Sequence, residues 1–186
     1  KIDKTPPTVA FGTASPAANA AGWNNSNVAI PFTAGDNLSG VASASTTSPL
    51  VLSTEGSAVT GTVTAKDRAG NATTATSPAV KIDKTLPVIS GLPAPGTTLW
   101  PPNNKFIQVA TVKATDALGG LALFTVTGES NEPPDPKDPD IIITGSGLEP
   151  RIVQLRAQRL GTGPGRIYTI TATALDLAGN TLTAKA

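Results

Sequence analysis

Apolar and polar residues alternate with a period of two along several short stretches of the chain. The alternation is clearest where Val and Thr are frequent, at residues 28–33, 58–65, 106–114 and 167–174, and it predicts β-strands. Clusters of Gly, Asn, Asp and Ser between these stretches predict turns. No long stretch combines helical periodicity with capping residues, and the 18 Gly and 17 Pro disfavour long helices. The pattern therefore predicts an all-β protein with the turn spacing of a β-sandwich.

Two short sequences each occur twice in the chain. Lys-Ile-Asp-Lys-Thr lies at residues 1–5 and 81–85, and Asp-x-Ala-Gly-Asn lies at residues 67–71 and 176–180. Each copy of the first opens a segment, and each copy of the second lies near the end of one. Repetition at this scale predicts two tandem modules, which we place at residues 1–81 and 82–186.

The second module is longer than the first. From Asp3 to Asp36 and from Asp83 to Asp116 the spacing is the same, but Asp176 lies much farther from Asp83 than Asp67 lies from Asp3. The excess falls after Asp116, and we assign it to an insertion at about residues 129–149, which begins with a stretch rich in Pro and acidic residues. Because Pro cannot donate to a sheet, this stretch predicts a surface loop or flap.

Composition excludes several kinds of chemistry. The chain has no Cys, His or Met, which removes thiolate nucleophiles, imidazole bases and Cys/His zinc sites. Its net charge of +1 gives no reason to expect nucleic acid as a partner. No apolar run reaches the ~18 residues of a membrane span. The chain begins with Lys1 and carries no signal peptide, which suits a fragment whose export signal lay upstream.

Motif order points to a known family. Residues 22–28 (GWNNSNV), 32–41 (FTAGDNLSGV) and 67–71 (DRAGN), with the Ile-Asp-Lys-Thr-x-Pro linker, resemble the bacterial immunoglobulin-like repeats of large secreted and cell-surface proteins. The second module resembles a related type with a Leu-Trp-Pro-Pro-Asn-x-Lys segment, residues 99–105. The resemblance implies two tandem immunoglobulin-like β-sandwich domains, the second with an insertion, but it implies no reaction.

The implied fold brings three aspartates of each module to one pole, where one module meets the next. These are Asp3, Asp36 and Asp67 in the first set, and Asp83, Asp116 and Asp176 in the second. Carboxylates that converge repel one another unless a cation or hydrogen-bond donors compensate. Calcium is one hypothesis, since it takes 6 to 8 oxygen ligands and would stiffen the hinge, with Glu55 or nearby carbonyls completing its shell. The alternative is that these aspartates only cap their own turns.

Two aromatic residues are candidates for ligand contact. Trp100 is flanked by Pro101 and Pro102, which would hold it rigidly, and Tyr168 lies in a predicted strand. Either Trp23 or Trp100 could stack on a sugar ring. The alternative, which the low aromatic content of 4% favours, is that these aromatic side chains belong to the cores.

The later part of the second module concentrates charge. Five acids could form a metal-binding loop, or otherwise a solvated loop of polyproline type: Glu129, Glu132, Asp135, Asp138 and Asp140. Four arginines predict a solvated cationic face: Arg151, Arg156, Arg159 and Arg166.

These observations favour a structural role over catalysis. We expect a non-catalytic structural or adhesive stalk segment of a larger bacterial protein, located outside the cell or on its surface. It would be a monomer whose partners are neighbouring domains of the same polypeptide, without nucleic acid and without membrane insertion. The alternative is a module that binds carbohydrate or protein through the loop at residues 129–149 or the Trp100 segment. No nucleophile elbow or other catalytic signature is present.

Overall fold

The computed structural model describes residues 2–133, 138–161 and 165–186, and these residues form β-strands without any helix. The chain divides into two compact units, Lys1–Thr85 and Leu86–Ala186. The first unit extends beyond residue 81 because the strand Val80–Ile82 pairs on both sides with strands of that unit. The all-β class expected from the alternating pattern is confirmed.

The first unit consists of short strands in four small sheets. Its strands are β1 (Thr8–Phe11), β2 (Trp23–Asn24), β3 (Val28–Ile30), β4 (Phe32–Gly35), β5 (Val41–Ala44), β6 (Leu50–Leu52), β7 (Gly56–Val59), β8 (Thr62–Asp67), β9 (Ala72–Thr76) and β10 (Val80–Ile82). The sheets are β1-β4, β3-β6, β5-β8-β9 and β2-β10-β7. All pairs are antiparallel except β2 with β10.

Two strands predicted as continuous in the first unit are interrupted. Residues 28–33 divide into β3 and β4 at Pro31, because proline has no N–H to continue a ladder. The two halves then pair with different partners, β3 with β6 and β4 with β1. Residues 58–65 divide at Gly61, where an added Cβ would lie only 2.9 Å from a methyl group of Leu52. The interruptions let the chain pack closely around a core of Val, Ile and Leu.

The second unit has longer strands in two antiparallel sheets. Its strands are β11 (Val88–Ser90), β12 (Phe106–Thr115), β13 (Leu121–Ser130), β14 (Ile141–Thr144), β15 (Arg151–Arg156), β16 (Tyr168–Asp176) and β17 (Thr181–Lys185). One sheet has the order β11-β12-β15-β14, and the other has the order β13-β16-β17.

Both sheets of the second unit contribute to one apolar core. In β16, Ile170, Ala172 and Ala174 are buried at alternate positions, and in β12 Val112 is buried in the same way. Phe124 of β13 is the largest fully buried side chain. Buried residues from both sheets form a single cluster, which is consistent with a β-sandwich.

The insertion in the second unit is not the continuous loop that its prolines predict. Strand β13 extends into its first residues, up to Ser130, and β14 lies within it at the edge of the four-stranded sheet. The Ile-rich sequence of β14 accounts for this strand, since β-branched residues favour an extended conformation. Residues 134–137, and with them Asp135, lie outside the described residues.

Candidate functional site

The first unit brings three predicted aspartates together. Asp36 follows β4, Asp67 ends β8, and Asp3 precedes β1. One carboxylate oxygen of each lies within 4.8 Å of one oxygen of the other two. Asp67 is buried, and the other two are partly buried. The sequence therefore predicted this cluster correctly, and what it can do depends on what each carboxylate already bonds.

Loop amides occupy the carboxylates of Asp36 and Asp67. Asp36 Oδ1 accepts hydrogen bonds from the amides of Ser39 at 2.9 Å and Gly40 at 2.7 Å. Asp67 accepts from both the amide and the side-chain nitrogen of Asn71, at 2.8 and 2.7 Å. Gly40 has a φ of +78°, which an L side chain rarely adopts. These carboxylates hold their own loops in shape, as in Asx turns.

Asp3 links its own segment to the loop that follows β4. Its Oδ1 accepts the Thr5 amide at 2.9 Å, and its Oδ2 accepts the Ser39 amide at 3.0 Å. Hydrogen bonding from the Ser39 side chain and from these amides lowers the pKa of Asp3. Asn71 also donates from its side chain to the Asp3 carbonyl at 3.3 Å. Amide and side-chain donors of the protein therefore compensate the charge of this partly buried acid.

The second unit repeats the same loop bonds. Asp116 accepts the Gly120 amide at 2.7 Å, as Asp36 accepts that of Gly40. Asp176 accepts the amide and the side-chain nitrogen of Asn180 at 2.8 and 2.7 Å, as Asp67 does with Asn71. The carboxylates of Asp116 and Asp176 have oxygens within 4.8 Å of each other. Gly120 has the same positive φ as Gly40, +80°.

Asp83, the remaining aspartate of the predicted second set, lies in the first unit. It accepts the Thr85 amide at 3.1 Å, as Asp3 accepts that of Thr5. Glu55, expected to complete an ion's shell, instead accepts bonds from the Lys84 amide and from the Thr85 hydroxyl, the latter at 3.0 Å. Each of the six aspartates therefore accepts an amide of its own turn, as the turn-capping interpretation predicts. Asp3 also bonds the loop after β4, and calcium stays a prediction.

A groove in the second unit brings together the two predicted aromatic candidates, Trp100 and Tyr168. It encloses a cavity of about 590 Å³. One wall is the segment before β12, residues 93–102, and its floor includes Val109, Leu155 and Ile170 from both sheets. The groove reaches the core of the unit, because Leu155 and Ile170 of its floor belong to the buried cluster.

The two tryptophans have different environments. Trp23 is only 6 % exposed, and Lys81 Nζ lies 5.5 Å from its ring centre, so its prediction as a core residue is confirmed. Trp100 is 73 % exposed, and the interpretation of Trp100 as core packing is wrong. Its ring lies on the groove wall, because the Pro-rich segment that carries it runs outside the strands.

Charged residues of the insertion bond arginines next to the groove. Arg166 Nε donates to Glu132 at 2.9 Å and its Nη1 forms an ion pair with Asp140, while Arg156 forms an ion pair with Asp138. The side chains of Arg166, Glu132 and Asp140 are at most 8 % exposed. The solvated-loop interpretation is therefore wrong for Glu132 and Asp140, whereas Glu129 and Asp138 are exposed. Among the described residues, none of these acids belongs to a cluster that could hold a metal ion.

Burial and ion pairing shift the pKa values in this cluster. Burial acts to raise the pKa of Glu132, but hydrogen bonds from Arg166 and from the Leu160 amide outweigh it, so the pKa is lowered. Burial lowers the pKa of Arg166, but its bonds to Glu132, Tyr168 and Asp140 raise it overall. Burial raises the pKa of Tyr168, whose hydroxyl donates to the Arg156 carbonyl at 2.9 Å. All three side chains are therefore held in their ordinary neutral-pH charge states.

The predicted solvated face of arginines is wrong for three of its four members. Arg151 is buried and donates to the carbonyls of Phe124 at 3.0 Å and Gly147 at 2.7 Å. Arg156 and Arg166 are buried in the ion-pair cluster. Only Arg159 is exposed. Guanidinium groups can be buried here because carboxylates and carbonyls accept hydrogen bonds from several of their donors.

Sequence reasoning missed this ion-pair cluster and the groove. A signal was present, because acids in the insertion and arginines at residues 151–166 occur in the same module in similar numbers. Charge matching between segments that are distant in sequence could have suggested pairing, but no spacing rule relates Glu132 to Arg166.

Comparisons of the chain with protein-family models, with curated proteins and with solved structures found no match. Among the described residues there is no helix of the length and apolarity needed to cross a membrane.

Proposed function

We propose that this chain is a non-catalytic structural or adhesive stalk segment of a larger bacterial extracellular or cell-surface protein, made of two tandem immunoglobulin-like domains. The observation that carries the proposal is the recurrence of one set of loop bonds in both units. Asp36 and Asp116 cap one loop, and Asp67 and Asp176 cap the other, through corresponding donors. A repeated, self-contained unit is the building block of an array.

The strand order of the second unit supports the immunoglobulin-like part of the proposal. Labelled A to G in chain order, the seven strands that its described residues form fall into the sheets A-B-E-D and C-F-G. This is the arrangement of constant-type immunoglobulin domains. The resemblance of the repeated motifs points to the same family, and the first unit carries those motifs in the same order.

The proposal assigns no reaction to the clustered aspartates. A general acid or base needs free lone pairs directed toward a substrate. Here the oxygens of Asp67 and Asp176 accept bonds from the amide and the side chain of Asn71 and Asn180. Both side chains are also buried, which suits loop fixation.

Mechanical unfolding of the full chain, pulled from its two ends, tests the stalk proposal. We expect two separate unfolding events, the longer extension coming from the second unit, because a stalk of independent domains must resist force unit by unit. An Arg166→Leu variant identifies the second unit, since it should weaken only the longer event. A single event, or extension without measurable resistance, would contradict the proposal.

One observation favours a second candidate function, a module that binds a ligand. The groove of the second unit exposes Trp100 and is lined by Tyr168, the two residues for which the sequence predicted ligand contact. A monomeric stalk segment has no need of an open cavity that reaches its core. The apolar and charged residues that line the groove therefore indicate which class of ligand such a module would bind.

A further inference from the structure

The groove of the second unit offers a mostly apolar surface. Its floor is formed by Val109, Leu155 and Ile170, and prolines and Leu99 of residues 93–102 form a wall. Its volume of about 590 Å³ lies within the range of roughly 300 to 1,000 Å³ typical of small-molecule sites. A ligand that fills this space would therefore bring an apolar body of small-molecule size.

The charged side chains that line the groove among the described residues are three arginines: Arg156, Arg159 and Arg166. Two of them, Arg156 and Arg166, form ion pairs with acids of the insertion that do not line the groove. Arg159 is exposed and takes part in no ion pair in the described part of the chain. Within the described part of the chain, the groove thus combines an apolar interior with one arginine that forms no ion pair and can bond a ligand.

Trp100 adds an apolar side chain that is exposed to solvent. At 73 % exposure it is the most exposed aromatic side chain among the described residues, and Ile167, also lining the groove, is 62 % exposed. Covering two such side chains with a ligand removes apolar area from water, which favours binding. Exposed apolar residues next to a cavity of this size mark a binding surface more often than isolated ones do.

We propose that this groove binds a small anionic amphiphile, with its apolar body between Trp100 and the core floor and its carboxylate on Arg159. A guanidinium can bond both oxygens of a carboxylate, which fixes the head group while the apolar part fills the cavity. The inference rests on the ligand-binding candidate above and is independent of the stalk proposal. Glycans fit less well, because they need many polar partners and most of this lining is apolar.

Decanoate and decanol, below their aggregation limits, are matched probes, since they share an apolar chain and differ in charge. We expect saturable binding of decanoate to the full chain by calorimetry, with a blue shift of tryptophan fluorescence as Trp100 leaves water. A Trp100→Phe variant should lose the fluorescence shift but keep measurable binding. Decanol should bind roughly tenfold more weakly, because it lacks a charge-assisted bond.

Arg159→Gln tests the assignment of the head group. It should weaken decanoate binding roughly tenfold and leave decanol binding unchanged. Arg68→Gln is the matched control, since Arg68 is exposed in the first unit, and it should alter neither. Thermal unfolding of each variant confirms that the fold is kept, and Arg159 is exposed, so its replacement should not disturb the core.

Three outcomes would overturn the inference. Equal affinity for decanoate and decanol would remove the role of Arg159. Absence of saturable binding of decanoate would remove the site. Binding of glucuronate as tight as that of decanoate would assign the groove to a charged sugar instead. None of these results bears on mechanical unfolding in two events, so failure here is distinguishable from failure of the stalk proposal.

Discussion

The two units have the same hydrogen bonds in two of their loops but differ in their charged residues and cavities. Both fix two loops with aspartates that accept corresponding bonds, as Asp67 does from Asn71 and Asp176 from Asn180. Among the described residues, however, all ion pairs lie in the second unit, as does the large groove. The comparison shows that local turn chemistry is repeated in both units, whereas the acids of the insertion give the second unit a charged cluster and the segment before β12 gives it a groove.

The largest effect should come from breaking the charged cluster. Arg166→Leu removes the cation that bonds buried Glu132 and leaves buried Asp140 with only Arg156, whose Nε lies 4.0 Å away. We therefore expect the free energy of unfolding of the second unit to fall by about 3 kcal/mol. Denaturant unfolding followed by amide NMR signals of each unit measures this. The first unit has no such pair in its described part and should be unaffected.

Arg159→Leu is the matched control for this prediction, since Arg159 is exposed. It should change the free energy of unfolding by less than about 0.5 kcal/mol. An equal loss in the free energy of unfolding for the two variants would show that the buried ion pairs of Arg166 do not stabilise the second unit.

The shared loops should respond alike in both units. Asp67→Ala and Asp176→Ala each remove a buried acceptor for an amide and for an asparagine side chain, so each should cost its own unit about 2 kcal/mol. Asp67→Asn and Asp176→Asn keep one acceptor oxygen and should cost less. Denaturant unfolding of the four variants checks the prediction, and a loss in only one unit would mean that the loops are not equivalent.

These loops are the part of the molecule that the sequence predicted best. In Asp-x-Ala-Gly-Asn, the aspartate accepts a hydrogen bond from the asparagine four positions later, so the structure of the loop follows from local sequence. The split at Pro31 also has a local cause. The pair between Glu132 and Arg166 does not, because it joins residues 34 positions apart. Nor does the groove, which residues 93–102 form together with residues of β12, β15 and β16, so that only the packing of the sheets brings its lining together.

Acid should weaken the second unit through Glu132. The folded pKa of Glu132 is lowered below its ordinary value of 4.5, so its contribution to stability is present above that value and is lost as the pH falls through the folded pKa. Glu132→Gln should make the unfolding midpoint of the second unit less dependent on pH in this range. Glu129→Gln, at an exposed acid of the same segment, should leave the dependence unchanged.

The smallest expected effect is that of calcium. Because amides already occupy oxygens of Asp3, Asp36 and Asp67, we expect little difference between the thermal midpoints measured with calcium and with chelator. A clear rise with calcium, which mass action produces when an ion binds only the folded state, would instead support the ion that the sequence predicted.

Amide hydrogen exchange on the full chain tests most directly the claim that the two units share self-sufficient aspartate caps. The account predicts that the amides of Gly40 and Gly120 are protected, and that those of Asn71 and Asn180 are protected too. Chelator should not change this protection, and each Asp→Ala variant should remove it only at its own loop. Rapid exchange at either glycine in the unmodified chain, or loss of protection on adding chelator, would contradict it.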